Sequence, residues 1–515
     1  MGQSVSLSRA EVTVHTLIVM VGAFMAILDT TVVDISLPKM MAPLKTDLYG
    51  IQWVVTSYMI SAAVVLPFLE WFEKVIGLRN MYILGIVLFT SASYLCGVST
   101  ELYQMVMFRS LQGIGEALVI VSAQAILFSV YPPEQKGLAM GIFGLGASFA
   151  PAIGPSLGGW ITEHMGWNWI FFINVPVGIL LTLSSLFFLK DLPRGRPGTF
   201  NFISFVLIGT ATVGTLIVLS KGQQYGWFTS NFIAFLTVVS VLSYVLYLLW
   251  ELRSKVKLID LEVFRHTNFL SAFLVYLVVL GFSMYALFYA LPLYFEHLKG
   301  LGTFTTGLLL LPFAVSIALS TVLAGVMSDR WSAGGTLLLA IALYMGSLFF
   351  FVRHFDLYTP KWDASLTLAV TGIGMGLFFA PVTVIALRGL EDKTVLIISL
   401  LDYIRFVGGS FGTAIATNII EGRASYHFEG ISTLQGLNYW EVKTKVEALA
   451  SEFLGSSYDP AEALVKAYYT FGTLQGKLAL SYAFQDLFLW CALLGMAGLI
   501  PLILLKYNTG RWSTS

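Results

Sequence analysis

The sequence predicts an all-α, polytopic membrane protein, and three observations support this fold class. Hydrophobic residues make up 57% of the 515 and charged residues only 11%, whereas soluble domains carry about 25% charged residues. The mean hydropathy is +0.81. Apolar stretches near the roughly 20 residues that a helix needs to cross a bilayer recur along the chain, without the apolar–polar alternation typical of β-barrel strands.

These stretches predict fourteen transmembrane helices. They lie near 14–37, 52–71, 80–97, 103–130, 137–160, 168–189, 202–220, 230–250, 268–294, 304–327, 335–352, 364–387, 396–420 and 482–506. With the N-terminus inside, sixteen Lys and Arg residues fall on the cytoplasmic side and six in the short outer loops. The positive-inside rule therefore predicts that both termini are cytoplasmic.

One long outer loop, 421–481, is the largest segment predicted outside the membrane. Its sequence predicts helices at "YWEVKTKVEALASEFL" and from "DPAEALVKAYY", where Asp459 can cap a helix that starts with Pro460. The loop is either a lid over the outer mouth or a docking surface for a periplasmic partner.

Several function classes lack sequence support. The chain has 29 basic and 29 acidic residues, so its charge gives no argument for a nucleic-acid partner. No GxxxxGK[ST] motif is present to hold a nucleotide, no HExxH pair to hold a metal, and the two cysteines lie in apolar segments. We therefore expect a protein that is not an enzyme and has no cofactor or metal, with an ion gradient as the energy source of any pumping.

The informative residues are the charges inside the predicted helices. They are Asp29, Asp34, Arg109, Glu116, Asp402 and Arg405. Such residues are expensive in a bilayer and usually face the bundle interior or a wet cavity, often in pairs.

Depth in the membrane suggests how these charges pair. Arg109, Gln112 and Glu116 share one face of their helix, since seven residues return within about 20°. Asp34 and Arg109 both lie near the outer ends of their helices, so we expect them to pair, with Asp29 and Glu116 deeper and free to bind protons. Thr30, Gln112 and Glu116 are predicted to line the substrate cavity. The alternative for each charge, including the neighbours Asp402 and Arg405, is that it only braces helices against each other.

Four motifs resemble the major facilitator superfamily, in its fourteen-helix drug:proton antiporter branch and most of all the EmrB-type multidrug pumps. They are "LDTTVVDISLP", "RSLQGIGEA", "GASFAPAIGPSLGGW" and "WNWIFFINVPVGI", and the likeness runs over nearly the whole chain. It implies two six-helix bundles, at 1–200 and 253–515, plus two additional helices at 201–252. It also implies alternating access around a central site and exchange of protons for lipophilic drugs.

The resemblance assigns roles to individual residues. Asp29 corresponds to the family's first-helix acid and Arg109 to its fourth-helix arginine. The antiporter motif falls on Pro151, Gly154, Pro155, Gly158 and Gly159, and the second-half gating loop on Gly325, Asp329 and Arg330.

The sequence also departs from the family pattern. The first-half gating loop reads "EWFEKVIGLRN", with Glu70 and Lys74 in place of the usual glycine and aspartate. Asp34, Asp402 and Glu116 are extra acids in the cavity region, which favours cationic substrates or additional proton sites.

We therefore predict a proton-driven exporter of lipophilic, cationic or weakly acidic drugs in a bacterial inner membrane. Its predicted coupling acids are Asp29, Glu116 and Asp34. Its predicted charge partners are Arg109, Asp402 and Arg405. By resemblance alone, its expected partners are membrane lipids, a periplasmic membrane-fusion adaptor and an outer-membrane channel. Two alternatives remain open: a proton symporter that takes up a small nutrient, and a membrane scaffold or sensor without transport.

Overall fold

The computed structural model describes residues 8–454 and 459–503, with the backbone alone described at 151, 152, 155, 156 and 435–437. Within those ranges every regular element is helical, as the sequence predicts. The longer helices of the first part are α1 (Arg9–Met40), α2 (Trp53–Val65), α3 (Leu69–Ile76), α4 (Leu78–Gly97), α5 (Leu102–Val130), α6 (Lys136–His164), α7 (Asn174–Phe188), α8 (Phe202–Lys221) and α9 (Asn231–Arg253).

The second part continues in the same way. Its helices are α10 (Thr267–Val275), α11 (Tyr285–Leu293), α12 (Thr303–Met327), α13 (Ala333–Phe350), α14 (Lys361–Leu387), α15 (Thr394–Leu437), α16 (Tyr439–Leu454) and α17 (Pro460–Ala497). Two of the connections are π-helical rather than open: Tyr276–Met284 joins α10 to α11, and Ser328–Ser332 joins α12 to α13.

Twelve helical runs in the described residues are long and apolar enough to cross a membrane. One run, Thr303–His354, contains both α12 and α13, and α6 is a further helix of 29 residues. The exact number of fourteen crossings, the domain boundaries and the cytoplasmic location of the termini stay predictions. We use "predicted cytoplasmic end" for the end of the bundle that the loop charges assign to that side.

Local sequence signals explain where helices begin. Ser8 precedes α1 and accepts a hydrogen bond from the Glu11 amide, while the Glu11 carboxylate accepts one from the Ser8 amide at 2.9 Å. This reciprocal pair satisfies amides that the first helical turn leaves without partners. Asp459 caps α17 as predicted, by accepting from the Ala461 amide, and Pro460 occupies the first turn.

The predicted loop 421–481 is largely helical in its described residues, as the sequence predicts for two of its segments. α15 and α17 continue past the predicted membrane boundaries, and α16 covers the segment whose sequence predicts a helix. No proline interrupts 421–437, so extending α15 adds one hydrogen bond per residue without a new nucleation step. The apolar side chains of Val446, Ala450 and Ala467 pack together where α16 meets α17.

The first and second parts of the chain meet at the predicted cytoplasmic end, where α6 packs on α12. A Cβ built on Gly325 would lie 2.4 Å from the Gly137 carbonyl oxygen, and one built on Gly137 would lie 2.5 Å from the Gly325 carbonyl oxygen. Glycine at both positions therefore lets the two backbones touch, as small residues do in membrane helix pairs.

The helices α8 and α9 pack on each other and contact both α2 and α15 through α8. Their polar contacts are specific: the Thr212 and Tyr244 hydroxyls each lie 2.8 Å from the Tyr403 hydroxyl. At the other end of α8, the Lys221 ammonium donates to the Gln52 side chain at 2.8 Å. The two additional helices are thus tied to both parts of the chain.

Candidate functional site

A buried ion pair joins α1 to α5. The Arg109 guanidinium lies 2.5 Å from the Asp29 carboxylate, and both side chains are at most 1% exposed. A pair removed from water in this way is stable only when its remaining hydrogen-bonding groups are also satisfied.

Two side-chain amides complete the pair. Gln112 donates to Asp29 at 2.9 Å and accepts from Arg109 at 2.8 Å. Asn174, the first residue of α7, donates to the same carboxylate at 2.8 Å and to Ser93 on α4 at 3.1 Å. Asp29 therefore accepts from three donors, so three helices meet at its carboxylate and α4 joins them through Asn174.

Arg109 is also held from the side of α2. Its Nε donates to the Val54 carbonyl oxygen at 3.2 Å, and the guanidinium carbon lies 4.0 Å from the centre of the Tyr58 ring. An arginine stacked on an aromatic face in a desolvated site gains further stabilisation. The charge on Arg109 is thus matched by a carboxylate, a carbonyl and a ring.

The predicted pair between Asp34 and Arg109 is wrong, because Arg109 pairs with Asp29. Asp34 and Arg109 lie at similar depths, but depth alone does not fix the direction in which a side chain points around its helix. Five residues turn about 140° around an α-helix, so Asp29 and Asp34 cannot both face α5. Asp29 is on the face toward α5 and is buried, whereas Asp34 is exposed.

The surface of the Asp34 side chain is exposed, although many protein atoms lie around its carboxylate. Among the described residues, no hydrogen bond or ion pair of its carboxylate is found. That combination is typical of a side chain lining a wet cavity. Thr30 is half-buried and donates to the Ile27 carbonyl, but Gln112, predicted to line the cavity, is fully buried in the ion-pair network.

Glu116 lies two turns from Arg109 on α5 and is 4% exposed. One of its carboxylate oxygens has no hydrogen-bond partner among the described residues. Its electrostatic neighbours are Arg405 on α15, Tyr58 on α2 and Arg109. A buried carboxyl with an unsatisfied oxygen can bind or release a proton without breaking a direct ion pair, which Asp29 cannot do in this arrangement.

One acid and one arginine of α15, Asp402 and Arg405, lie across from Glu116. Arg405 Nε is 3.2 Å from the Asp402 carboxylate, as expected for charge partners at i and i+3. Gln124 of α5 donates to the other oxygen of Asp402 at 3.0 Å. The cluster therefore links the first part of the chain to the second, and Arg405 is within electrostatic range of both Asp402 and Glu116.

The glycines of the antiporter motif differ in their surroundings. A Cβ on Gly154 would lie 2.0 Å from the Thr31 hydroxyl, and one on Gly158 would lie 3.0 Å from Val32, so both permit close packing of α6 on α1. Gly159 has nothing within 4 Å of such an atom. The side chains of Pro151 and Pro155 lie outside the described residues, although the backbone of α6 is helical through both positions.

The second-half gating segment is helical and reaches across to α6. The Asp329 carboxylate accepts from the backbone amides of Gly137 and Leu138 at 2.7 and 2.8 Å. It thereby caps the N-terminus of α6, where a negative charge is favourable, while Arg330 is exposed. In the first half, Lys74 instead pairs with Glu70 at 2.6 Å, so the two departures from the family pattern neutralise each other.

Three site residues were missed from the sequence. Asn174, Gln124 and Tyr58 are neutral, and the charges inside the predicted helices do not point to them. A polar amide within an apolar helix is also expensive in a membrane, so extending the search to Asn and Gln would have found the first two. Nothing local distinguishes Tyr58 from the other 22 tyrosines.

The described residues contain no group of three or more His, Cys, Asp or Glu side chains close enough to hold a metal ion. The polar groups of the site are carboxylates, guanidinium groups and amides, of which the carboxylates can exchange protons.

Comparison with known proteins gives a consistent result. The Major Facilitator Superfamily model matches residues 19–413. The multidrug export protein EmrB of Escherichia coli K12 is 29% identical over 440 residues, covering 83% of this chain and 84% of EmrB. The uncharacterized MFS-type transporter YhcA of Bacillus subtilis is 25% identical over 499 residues, covering 95% of this chain and 92% of YhcA.

A solved structure, the proton:xylose symporter XylE, superposes with a TM-score of 0.58 at 12% identity, covering 95% of each chain. At that identity it shows the fold alone. The family model spans most of the chain. The helices of this chain agree with the fold of the superposed transporter. The chain belongs to the Major Facilitator Superfamily of membrane transporters.

Proposed function

We propose that the protein is a proton-coupled antiporter that exports lipophilic, mainly cationic drugs from a bacterial inner membrane by alternating access. The observation that supports this most is the chain of charges from Asp29 through Glu116 to Asp402, which runs from the first part of the chain into the second. A scaffold without transport has no need for buried, partly unsatisfied acids between its two parts. The similarity to a multidrug export protein supports the same reading.

Glu116 is the principal coupling acid in this proposal, with Asp34 as the acid that substrate meets in the cavity. When Glu116 releases its proton, its negative charge competes with Asp402 for Arg405. That competition loosens the Asp402–Arg405 pair and leaves Asp402 with Gln124, the donor from the first part of the chain, as its remaining partner. Protonation of Glu116 returns Arg405 to Asp402, so proton binding at Glu116 changes the charge balance at the contact between the two parts of the chain.

Asp29 has a different task from the one expected. Its three donors, one of them the buried Arg109, hold α1, α5 and α7 together, and Asn174 adds α4 through Ser93. It becomes a coupling acid only in a conformation in which Arg109 moves away. We propose that it mainly fixes the first bundle, and that Arg109 sets the field in which Glu116 titrates.

The extended helices α15, α16 and α17 support a second part of the proposal, a periplasmic adaptor that connects the pump to an outer-membrane channel. They project large exposed aromatic side chains, among them Trp440 at 74% and Tyr469 at 76% exposed. Tyr, Trp and Phe are enriched where proteins bind each other. A lid over the outer mouth is the alternative role of the same segment.

The test is exchange in proteoliposomes with an acidic interior and an enclosed pH dye. Adding ethidium outside should make the interior more alkaline, because each entering cation is exchanged for protons. Glu116→Gln should abolish the response, while Glu101→Gln, the same change at an exposed position beside α5, should leave it intact. A proton symporter for the added substrate would acidify the interior instead. No pH change with a panel of lipophilic cations would contradict the proposal.

A further inference from the structure

A cavity of about 410 Å³ lies away from the central charges, at the seam where α8 and α9 meet α10 and α15. Its lining residues are Ile208, Tyr247, Leu248, Ile259, Leu261, Phe264, Phe273, Leu400 and Tyr403. The volume is within the range of sites that bind small molecules.

The lining contains no charged side chain. The nearest buried acid is Glu251, one turn beyond Tyr247 on α9, and its carboxylate is already occupied. It accepts from the Ser204 hydroxyl and from the amides of Leu258 and Ile259, the latter two at 2.5 and 2.9 Å. The cavity therefore suits an uncharged, apolar occupant, because it has aromatic rings but no carboxylate to pair with a cation.

One polar group in the lining lacks a partner. Tyr247 is 4% exposed, and its hydroxyl has no hydrogen-bond partner among the described residues. The neighbouring Tyr403 hydroxyl, in contrast, has both Thr212 and Tyr244 within 2.8 Å. Buried polar groups are rarely left unpaired, so the Tyr247 hydroxyl indicates a ligand atom that accepts a hydrogen bond.

The position of the cavity indicates where that ligand comes from. α9 has 23 residues and is therefore about 35 Å long. Tyr247 lies six residues before its last residue, which is about 9 Å along the helix axis. The hydrocarbon core is about 30 Å thick, so Tyr247 lies within several Å of its edge. Leu248, on the rim, is 48% exposed and continues the apolar outer face formed by Leu249 and Leu252.

We propose that this cavity binds one acyl chain of a membrane phospholipid, with the ester carbonyl of that chain accepting a hydrogen bond from the Tyr247 hydroxyl. The apolar lining takes the methylene groups, and the exposed rim lets the rest of the lipid remain in the bilayer. Ester carbonyls lie at the edge of the hydrocarbon core, within several Å of Tyr247. The site does not depend on the proposed transport activity.

The test uses the full chain in proteoliposomes that contain a phosphatidylethanolamine with a photoreactive diazirine on its acyl chain. After illumination, cross-linked peptides are mapped by mass spectrometry. We expect cross-links at the lining residues to be several-fold more frequent than at Leu249 and Leu252, which contact bulk lipid. Tyr247→Phe should reduce them by roughly two- to tenfold, the equivalent of one neutral hydrogen bond.

Two further variants keep the test decisive. Tyr244→Phe removes a hydroxyl of the same helix that points to Tyr403, and it should leave the cross-links at the lining unchanged. Leu400→Trp fills the cavity and should abolish them, with cross-links to the outer face retained. Equal cross-linking along the whole outer face of α9, or equal loss in Tyr244→Phe and Tyr247→Phe, would overturn the proposal. Displacement of the lipid by a neutral lipophilic drug would assign the cavity to a different occupant.

Discussion

Replacing Asp29 with asparagine should destabilise the first bundle strongly, because the change leaves a buried guanidinium without its carboxylate. Arg109 is 1% exposed, so water cannot replace the lost partner. The new amide group would also place a donor against the donors of Gln112 or Asn174. Removing one member of a buried ion pair costs about 3–5 kcal/mol, and we expect a loss of that size here.

Two buried cysteines provide the assay. Cys96 and Cys491 are both 0% exposed, so a fluorogenic maleimide reacts with each only as its surroundings unfold. In a Cys491→Ala background the dye reports on Cys96, whose thiol lies 3.7 Å from the Gln112 side chain. For a cooperative unit of 150–250 residues, 1 kcal/mol corresponds to about 2–4 °C. Asp29→Asn should therefore lower the midpoint by at least about 6 °C.

A matched control and a double-mutant cycle decide the cause. Asp34→Asn is the same change on the same helix, at an exposed carboxylate, and should shift the midpoint by less than about 2 °C. Because the two residues interact, Asp29→Asn and Arg109→Gln together should cost about 1–3 kcal/mol less than the sum of the single changes. Additive losses, or equal losses for Asp29→Asn and Asp34→Asn, would refute the assignment of the pair.

Three other changes test the contacts between the parts of the chain. Gly325→Ala should push α6 and α12 apart by overpacking, at a cost of about 1–3 kcal/mol. The change is measured as a longer distance between spin labels on α6 and α12. Gly346→Ala, at a position with open space around it, should leave that distance unchanged. Asp329→Asn should weaken the cap on α6 by about 1.5–3 kcal/mol, with the same distance as the readout; an unchanged distance would contradict this role. Tyr403→Phe removes the partner of two hydroxyls, so the Cys491 labelling midpoint should fall by an amount equivalent to about 1–2 kcal/mol.

The fold was predictable because the hydropathy of a segment shows whether lipid or water surrounds it. A helix in a bilayer must satisfy its backbone internally, so apolar stretches of sufficient length already define the class. The helical continuation of α15 beyond residue 420, and the unbroken run of α17 into its predicted membrane segment, were missed for the same reason. Polar residues end a hydropathy segment, but they do not end a helix unless proline or a cap does so.

The site was predictable in its residues and less so in its pairs. The charges inside apolar helices identified Asp29, Arg109, Glu116, Asp402 and Arg405. The structure joins four of them in two ion pairs and places Glu116 within electrostatic range of both arginines. Pairing depends on rotation around each helix as well as depth, and the packing partners that fix this rotation are distant in sequence. Asn174 illustrates the limit, since it completes the Asp29 network from 145 residues away.

The most direct measurement is the number of protons released when a lipophilic cation binds to the detergent-solubilised protein in weakly buffered solution. If substrate and proton compete for the cavity acids, adding ethidium to the unmodified protein should release protons. Glu116→Gln should bind ethidium but release fewer protons, and Glu101→Gln should behave like the unmodified protein. Unchanged proton release from Glu116→Gln would contradict the assignment of Glu116, and binding without any release in the unmodified protein would contradict proton-coupled exchange.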